Sequence, residues 1–207
     1  MVALRTLGRT EYVPTWRAMQ AFTAARGPDT PDEIWLTEHP PVYTLGLAGR
    51  REHLLRDNGI QSVKVDRGGQ VTYHGPGQLV VYLLCDLRRR KLGIRAMVRS
   101  IEAAVIEWLA ALGVSAYGKP AAPGVYTVAA GVEAKIAALG LRVSNGCTYH
   151  GLAVNIAMDL SPFADIDPCG YRGLAVTQLA DLDVAMTVEA AGAALAPILT
   201  AHLARPD

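Results

Sequence analysis

Leu79-Val80-Val81-Tyr82-Leu83-Leu84 is an unbroken apolar run. It has strand length and no polar side, so the sequence predicts a central β-strand covered on both faces. That requirement excludes a one-sided sheet and calls for helices to supply the cover. The clearest helix is Ile94 to Leu112. Apolar residues at 94, 97, 98, 101, 104, 105, 108, 109 and 112 make one stripe of helical period. Gly113 ends it. With 207 residues, 51% of them hydrophobic and 19% charged, the chain has material for a substantial core.

Around these two elements the pattern is irregular. Val2 to Leu7 reads as a strand. Tyr12, Trp16, Met19 and Phe22 form a second helical stripe, with Gly27 as its stop. Glu33 to Thr37 is a short strand, and Pro40-Pro41 forces an extended loop after it. Ser62 to Asp66 alternates like a half-buried strand. Gly124 to Val128 and Ala134 to Val143 read as strands, the second broken by Gly140. Asn145-Gly146 is a two-residue hairpin signal whose partner strand is Cys147 to Ala157. Asp159 to Phe163 starts a turn or a short helix. Thr187 to Ala204 is an alanine-rich helix capped by Thr187, which Pro197 is expected to kink or split. No linker divides the chain, so residues 1–207 read as a single domain. The predicted class is α+β, with a mixed, largely antiparallel sheet flanked by helices.

Composition narrows the function. A net charge of +1 does not favour nucleic acid or a membrane surface. No apolar run reaches the ~18 residues that span a bilayer. Met1 to Arg9 carries no secretion pattern. Cys85, Cys147 and Cys169 are odd in number and lack metal-type spacing, which points to a reduced, cytoplasmic protein without a metal site. Arg88-Arg89-Arg90-Lys91 reads as solvated surface; the other reading is a dock for an acidic partner.

Three places could carry chemistry. Asp66 to Gln78 holds four glycines and a proline among the side chains of Arg67, Thr72, Tyr73 and His74, and backbone there can approach a ligand closely. Cys169 stands between Pro168 and Gly170, a turn that would present its sulfur with backbone N–H groups nearby. It is either a buried, inert thiol or a nucleophile, and a nucleophile needs a positive charge beside it. Lys135 is alone in the apolar run Ala134 to Leu139. As a strand residue it shares a face with Ala137 and Leu139. Desolvation would favour its neutral form and let it accept a proton; otherwise it is an edge lysine that reaches to water.

Taken together, four blocks resemble the lipoyl(octanoyl) transferases of the lipoate and biotin protein ligase superfamily. They are Glu38 to Gly46, Arg67 to Gln78, Lys135 to Gly140, and His150 to Asn155 leading to Pro168-Cys169-Gly170. The resemblance implies a biotin/lipoate ligase-like fold, with Cys169 carrying the acyl group and Lys135 activating it. It implies substrate contacts at Arg67, Gly68, Gly69, Gln70, Val71, Thr72, Tyr73 and His74, at Ala138, Leu139 and Gly140, and at Gly151, Leu152 and Ala153. The implied donor is octanoyl-acyl carrier protein, whose phosphopantetheine arm makes a separate cofactor unnecessary. The implied acceptors are lipoyl domains of 2-oxoacid dehydrogenase acyltransferase subunits and the glycine cleavage H protein. The implied enzyme is a monomer, and needs no ATP because a thioester lies above an amide. An octanoyl tail with about six methylenes would gain roughly 5 kcal/mol from full burial.

Three other functions fit parts of the pattern. An ATP-dependent lipoate or biotin protein ligase shares the glycine-rich stretch but needs no cysteine. A cysteine-dependent thioesterase would use His74 or His150 as base. A non-catalytic carrier-binding module would use the basic run alone.

Overall fold

The computed structural model describes residues 2–167 and 174–204. A seven-stranded mixed sheet runs in the order β1-β2-β6-β10-β9-β8-β7. Its strands are β1 (Val2–Arg9), β2 (Asp32–Glu38), β6 (Gln78–Leu84), β7 (Ala116–Gly118), β8 (Gly124–Ala129), β9 (Val132–Ser144) and β10 (Cys147–Asn155). Only β1 and β2 pair in parallel; the other pairs are antiparallel. A second sheet of three strands has the order β4-β3-β5, from β3 (Val42–Leu45), β4 (Ser62–Lys64) and β5 (Val71–His74). The helices are α1 (Tyr12–Ala24), α2 (Leu87–Arg90), α3 (Ile94–Ala111) and α4 (Val188–Ala204). This is the expected α+β arrangement, and of the smaller sheet periodicity revealed β4 but not β3 or β5.

The β6 run is buried at every position and covered on both faces, as its composition demands. Leu79, Val81 and Leu83 pack with Met97, Ile101, Val105 and Trp108 of α3 and with Leu195 and Leu199 of α4. Val80, Tyr82 and Leu84 face the other way, toward Tyr12, Trp16 and Met19 of α1. Alternate strand residues reach opposite faces, so one apolar run serves two cores.

Four expectations need correction. Gly140 does not break its strand: β9 is continuous from Val132 to Ser144, because β10 supplies ladder partners through that point. Pro197 does not split the last helix, which runs from Val188 to Ala204 as one element; Thr187 Oγ1 accepts from Ala190 N, the predicted cap. The glycine-rich stretch is not all loop, since Val71–His74 is a strand pairing antiparallel with β3.

The basic run is the fourth. Asp32 lies buried, and its carboxylate accepts from Arg26, Arg89 and Arg90 at 2.5–2.7 Å and from Asp86 N at 2.9 Å. Burial alone would raise this carboxyl, but the Asp86 N–H and the Arg90 and Arg26 guanidiniums hold it below the usual range. Arg90 is therefore drawn inward, while Arg88, Arg89 and Lys91 remain exposed, Arg89 with its guanidinium tip on Asp32. The Asn145-Gly146 turn is as expected, with φ of +51° and +74° joining β9 to β10.

Candidate active site

A cleft opens between the small sheet and the face of the large sheet that carries Val80 and Tyr82. It encloses about 70 Å3, and its walls come from α1, the 67–74 segment, β6, β9 and β10. Of the residues implied to contact substrate, Arg67, Gly69, Gln70, Val71, Thr72, His74, Ala138, Leu139, Gly140, Gly151, Leu152 and Ala153 line it. Gly68 and Tyr73 do not. Gly68 N donates to Leu141 O and ties the loop to β9. Tyr73 faces the opposite side of β5, against Tyr43 and Phe163. Period-two alternation puts Tyr73 away from Thr72 and His74, and a continuous block of sequence cannot show this.

Lys135 enters the cleft wall with 5% exposure. Its Nζ donates to Pro123 O at 3.2 Å and lies 5.0 Å from the centre of the Tyr126 ring. A β-bulge re-aims it. The β8–β9 register slips between Val125↔Ala137 and Tyr126↔Lys135, so two β9 steps oppose one on β8. The regular alternation with Ala137 and Leu139 that the sequence suggests is broken there. Gly124 makes room: at φ +141°, a Cβ would lie 2.9 Å from Lys135 Cε.

The chain on either side of residues 168–173 is fixed to the same region. Before them, Asp167 N donates to His53 O, and Ile166 bridges to Leu54. After them, Lys135 N donates to Ala175 O and Thr177 N donates to Lys135 O. Pro168, Cys169 and Gly170 themselves lie outside the described residues.

Asp66 is the hub of the cleft's rim. Its carboxylate accepts from Trp16 Nε1 at 2.9 Å, Gln20 Nε2 at 3.0 Å, His150 Nε2 at 2.9 Å and the Tyr149 hydroxyl. Burial would raise the carboxyl, yet the His150, Tyr149, Gln20 and Trp16 donors outweigh it and hold Asp66 down to about 2. The next residue, Arg67, is 8% exposed and donates to Thr44 Oγ1, Thr44 O and Gly68 O. One carboxylate thus anchors the start of the loop that walls the cleft.

Three buried histidines line or back the site, and their tautomers follow from their partners. His39 Nδ1 donates to Thr10 O and its Nε2 accepts from the Tyr82 hydroxyl, both at 2.6 Å. His74 Nδ1 donates to Gln78 Oε1 at 2.7 Å, and its ring stacks on Tyr12. Gln78 Nε2 donates to Asn155 Oδ1, and Asn155 Nδ2 to Thr177 O, so the polar chain ends beside Lys135. Burial pushes His39 and His150 down to about 4 and, with the His39 charge, His74 to about 3. All three are neutral near pH 7.

Sequence reading missed Asp66, Tyr12, Tyr82, Gln78 and Asn155 as site residues. The available signal was Asp66 itself, a lone acid just before the glycines. Its four donors come from 46 to 84 positions away, and no local pattern shows them. Among the described residues no group of three metal-type ligands occurs, and no helix is long and apolar enough to cross a membrane.

Residues 11–199 match the Lipoyl protein ligase A/B catalytic domain. The chain is 59% identical over 204 residues to a protein from Laribacter hongkongensis named Octanoyltransferase, covering 99% of this chain and 97% of that one. In fold it is similar to a lipoate-protein ligase A bound with ATP, with a TM-score of 0.78 at 18% identity over 99% of this chain and 87% of the other. It is also similar to a biotin protein ligase from Aquifex aeolicus, with a TM-score of 0.54 at 11% identity over 97% and 68%.

Proposed function

The chain belongs to the lipoyl protein ligase A/B catalytic domain family, and within it we propose that this enzyme transfers octanoyl groups through an acyl-cysteine without ATP. The observation that carries this reading is Lys135. It is a buried lysine on the cleft wall whose own backbone binds Ala175 and Thr177, just beyond the segment that holds Cys169. Near-full-length likeness to a protein named Octanoyltransferase supports the choice of transfer over ligation.

In this reading the Cys169 thiolate attacks the octanoyl thioester of acyl carrier protein. The C–S bond to the enzyme forms, and the bond to the phosphopantetheine sulfur breaks. The lysine ε-amine of a lipoyl domain then attacks, forming an amide and returning the electron pair to Cys169. Lys135 takes the thiol proton in the first half and a proton from the attacking amine in the second, and gives each to the sulfur that departs. Backbone N–H groups stabilise each oxyanion. Arg67, Gly69 to Thr72, His74, Ala138 to Gly140 and Gly151 to Ala153 hold the acyl chain in the cleft; Gly68 and Tyr73 shape it from behind. The acceptors are lipoyl domains of 2-oxoacid dehydrogenases and of the glycine cleavage system. The enzyme works as a cytoplasmic monomer, with neither metal nor cofactor of its own.

Dependence on ATP separates this reading from a ligase. Purified enzyme with octanoyl-carrier protein and an apo lipoyl domain should produce octanoyl-lipoyl domain without ATP. Free octanoate with Mg-ATP should produce none. Product only in the second mixture would make the protein a ligase; octanoate released without any lipoyl domain would make it a thioesterase.

A further inference from the structure

The Asp66–His150 pair holds an imidazole in one hydrogen-bonding state at the cleft wall. Asp66 is ionised and can only accept, so His150 Nε2 carries a proton. The ring is buried at 1% exposure and neutral, so Nδ1 carries none. His150 lines the cleft, and its Nδ1 has no hydrogen-bond partner among the described residues. Gln70 Oε1, in the same cleft, is a buried acceptor that also lacks a partner. The groups facing His150 are Asp66, the stacked Tyr149 ring at 5.0 Å, the Tyr82 ring at 6.4 Å, the Arg67 charge and the neutral His74 ring. None of them supplies an N–H to Nδ1.

An acyl chain with its thioester has no N–H to offer these acceptors. The nitrogen-bearing parts of the two substrates have one. We propose that His150 Nδ1 accepts a hydrogen bond from a substrate N–H, and that Asp66 is a positioning residue which acts through His150 by fixing its tautomer. The N–H belongs to the amide of the arm that delivers the acyl group or to the amine that receives it. The role rests on the transferase reading above and deepens it.

Two substitutions isolate the acceptor. His150→Phe keeps an aromatic ring and removes both nitrogens, the Nδ1 acceptor and the Nε2 donor to Asp66. His150→Asn offers an oxygen near the Nδ1 position and suits the left-handed φ of +61° at this residue. Acylation by octanoyl-carrier protein and transfer from the isolated acyl-enzyme to a lipoyl domain are timed separately. His150→Phe and Asp66→Asn should slow one of the two steps about tenfold, the size of one hydrogen bond, and His150→Asn should recover most of it. A loss confined to acylation, and absent with a small octanoyl thioester lacking an amide, assigns the donor to the arm. A loss confined to the second step assigns it to the amine. Equal losses in both steps with no recovery in His150→Asn, or no loss at all, would overturn the role. Imidazole 15N shifts give a readout independent of turnover. They should show Nε2–H alone in the wild type from pH 5.5 to 8, and a mixture of tautomers in Asp66→Asn. An Nδ1–H wild type would overturn the proposal even in an active enzyme. A wild type that never becomes acylated, with Nε2–H intact, would instead overturn the transferase reading and this role with it.

Discussion

A neutral histidine in a folded protein is a proton withheld, and this chain withholds three. His39, His74 and His150 are pushed to about 4, 3 and 4 by burial, against roughly 6.5 in an unfolded chain. Between those values the unfolded chain binds more protons than the folded one, so stability rises with pH. It is complete above about 6.5 and is lost as pH falls toward 4. Each histidine contributes on the order of 2 kcal/mol of loss between pH 7 and pH 5. Asp66 adds to the loss only below its ordinary carboxylate range, since its folded value is about 2. Urea unfolding at pH 7, 6 and 5 should show midpoints that fall steadily; a constant midpoint would mean that these rings are not held neutral by the fold. At this scale the sequence was readable where a residue type clashed with its neighbours. Lys135 in an apolar run was such a case. The bulge that aims it was not, because a bulge depends on how β8 and β9 pair.

Among the elements, local signals held where geometry is local and failed where a partner from elsewhere decides. The Asn145-Gly146 turn needs two adjacent positive-φ positions, and those two residues supply them. The α3 stripe and the β6 run likewise carry their own evidence. Gly140 suggests a break, but ladder bonds from β10 on one side hold β9 together there. Arg88 to Lys91 suggests surface, and three of the four stay there, but Asp32, from a strand more than fifty positions earlier, draws Arg90 inward and holds the tip of Arg89. Asp32→Ala should therefore cost about 3–5 kcal/mol, because it leaves guanidiniums buried without their anion. Equilibrium urea unfolding measures this. A loss under about 1 kcal/mol, the size of an exposed pair, would show that the cluster is solvated after all.

For the molecule as a whole, the sequence made the layer count legible. An apolar strand needs cover on both sides, and α3 with α4 on one face and α1 on the other provide it. Of the small sheet only β4 was legible, as the Ser62 to Asp66 alternation. β3, β4 and β5 are three or four residues long, and two of them border glycines or prolines that read as loop. Yet that sheet forms the second wall of the cleft, so the site exists only at this scale. Blocks distant in sequence meet across it: Arg67, Gly69 to Thr72 and His74 from one side, Ala138 to Gly140 and Gly151 to Ala153 from the other. Cys85, 0% exposed and pushed up to about 12 by burial, cannot serve as nucleophile, and Cys147 is buried as well. The acyl-cysteine account therefore places the covalent step on Cys169 alone. Intact mass after mixing enzyme with octanoyl-carrier protein, followed by peptide mapping, tests this directly. The expected result is a single octanoyl adduct on the peptide containing Cys169, absent in Cys169→Ser and discharged by an apo lipoyl domain. An adduct mapped to Cys147, or steady transfer by Cys169→Ser, would contradict it.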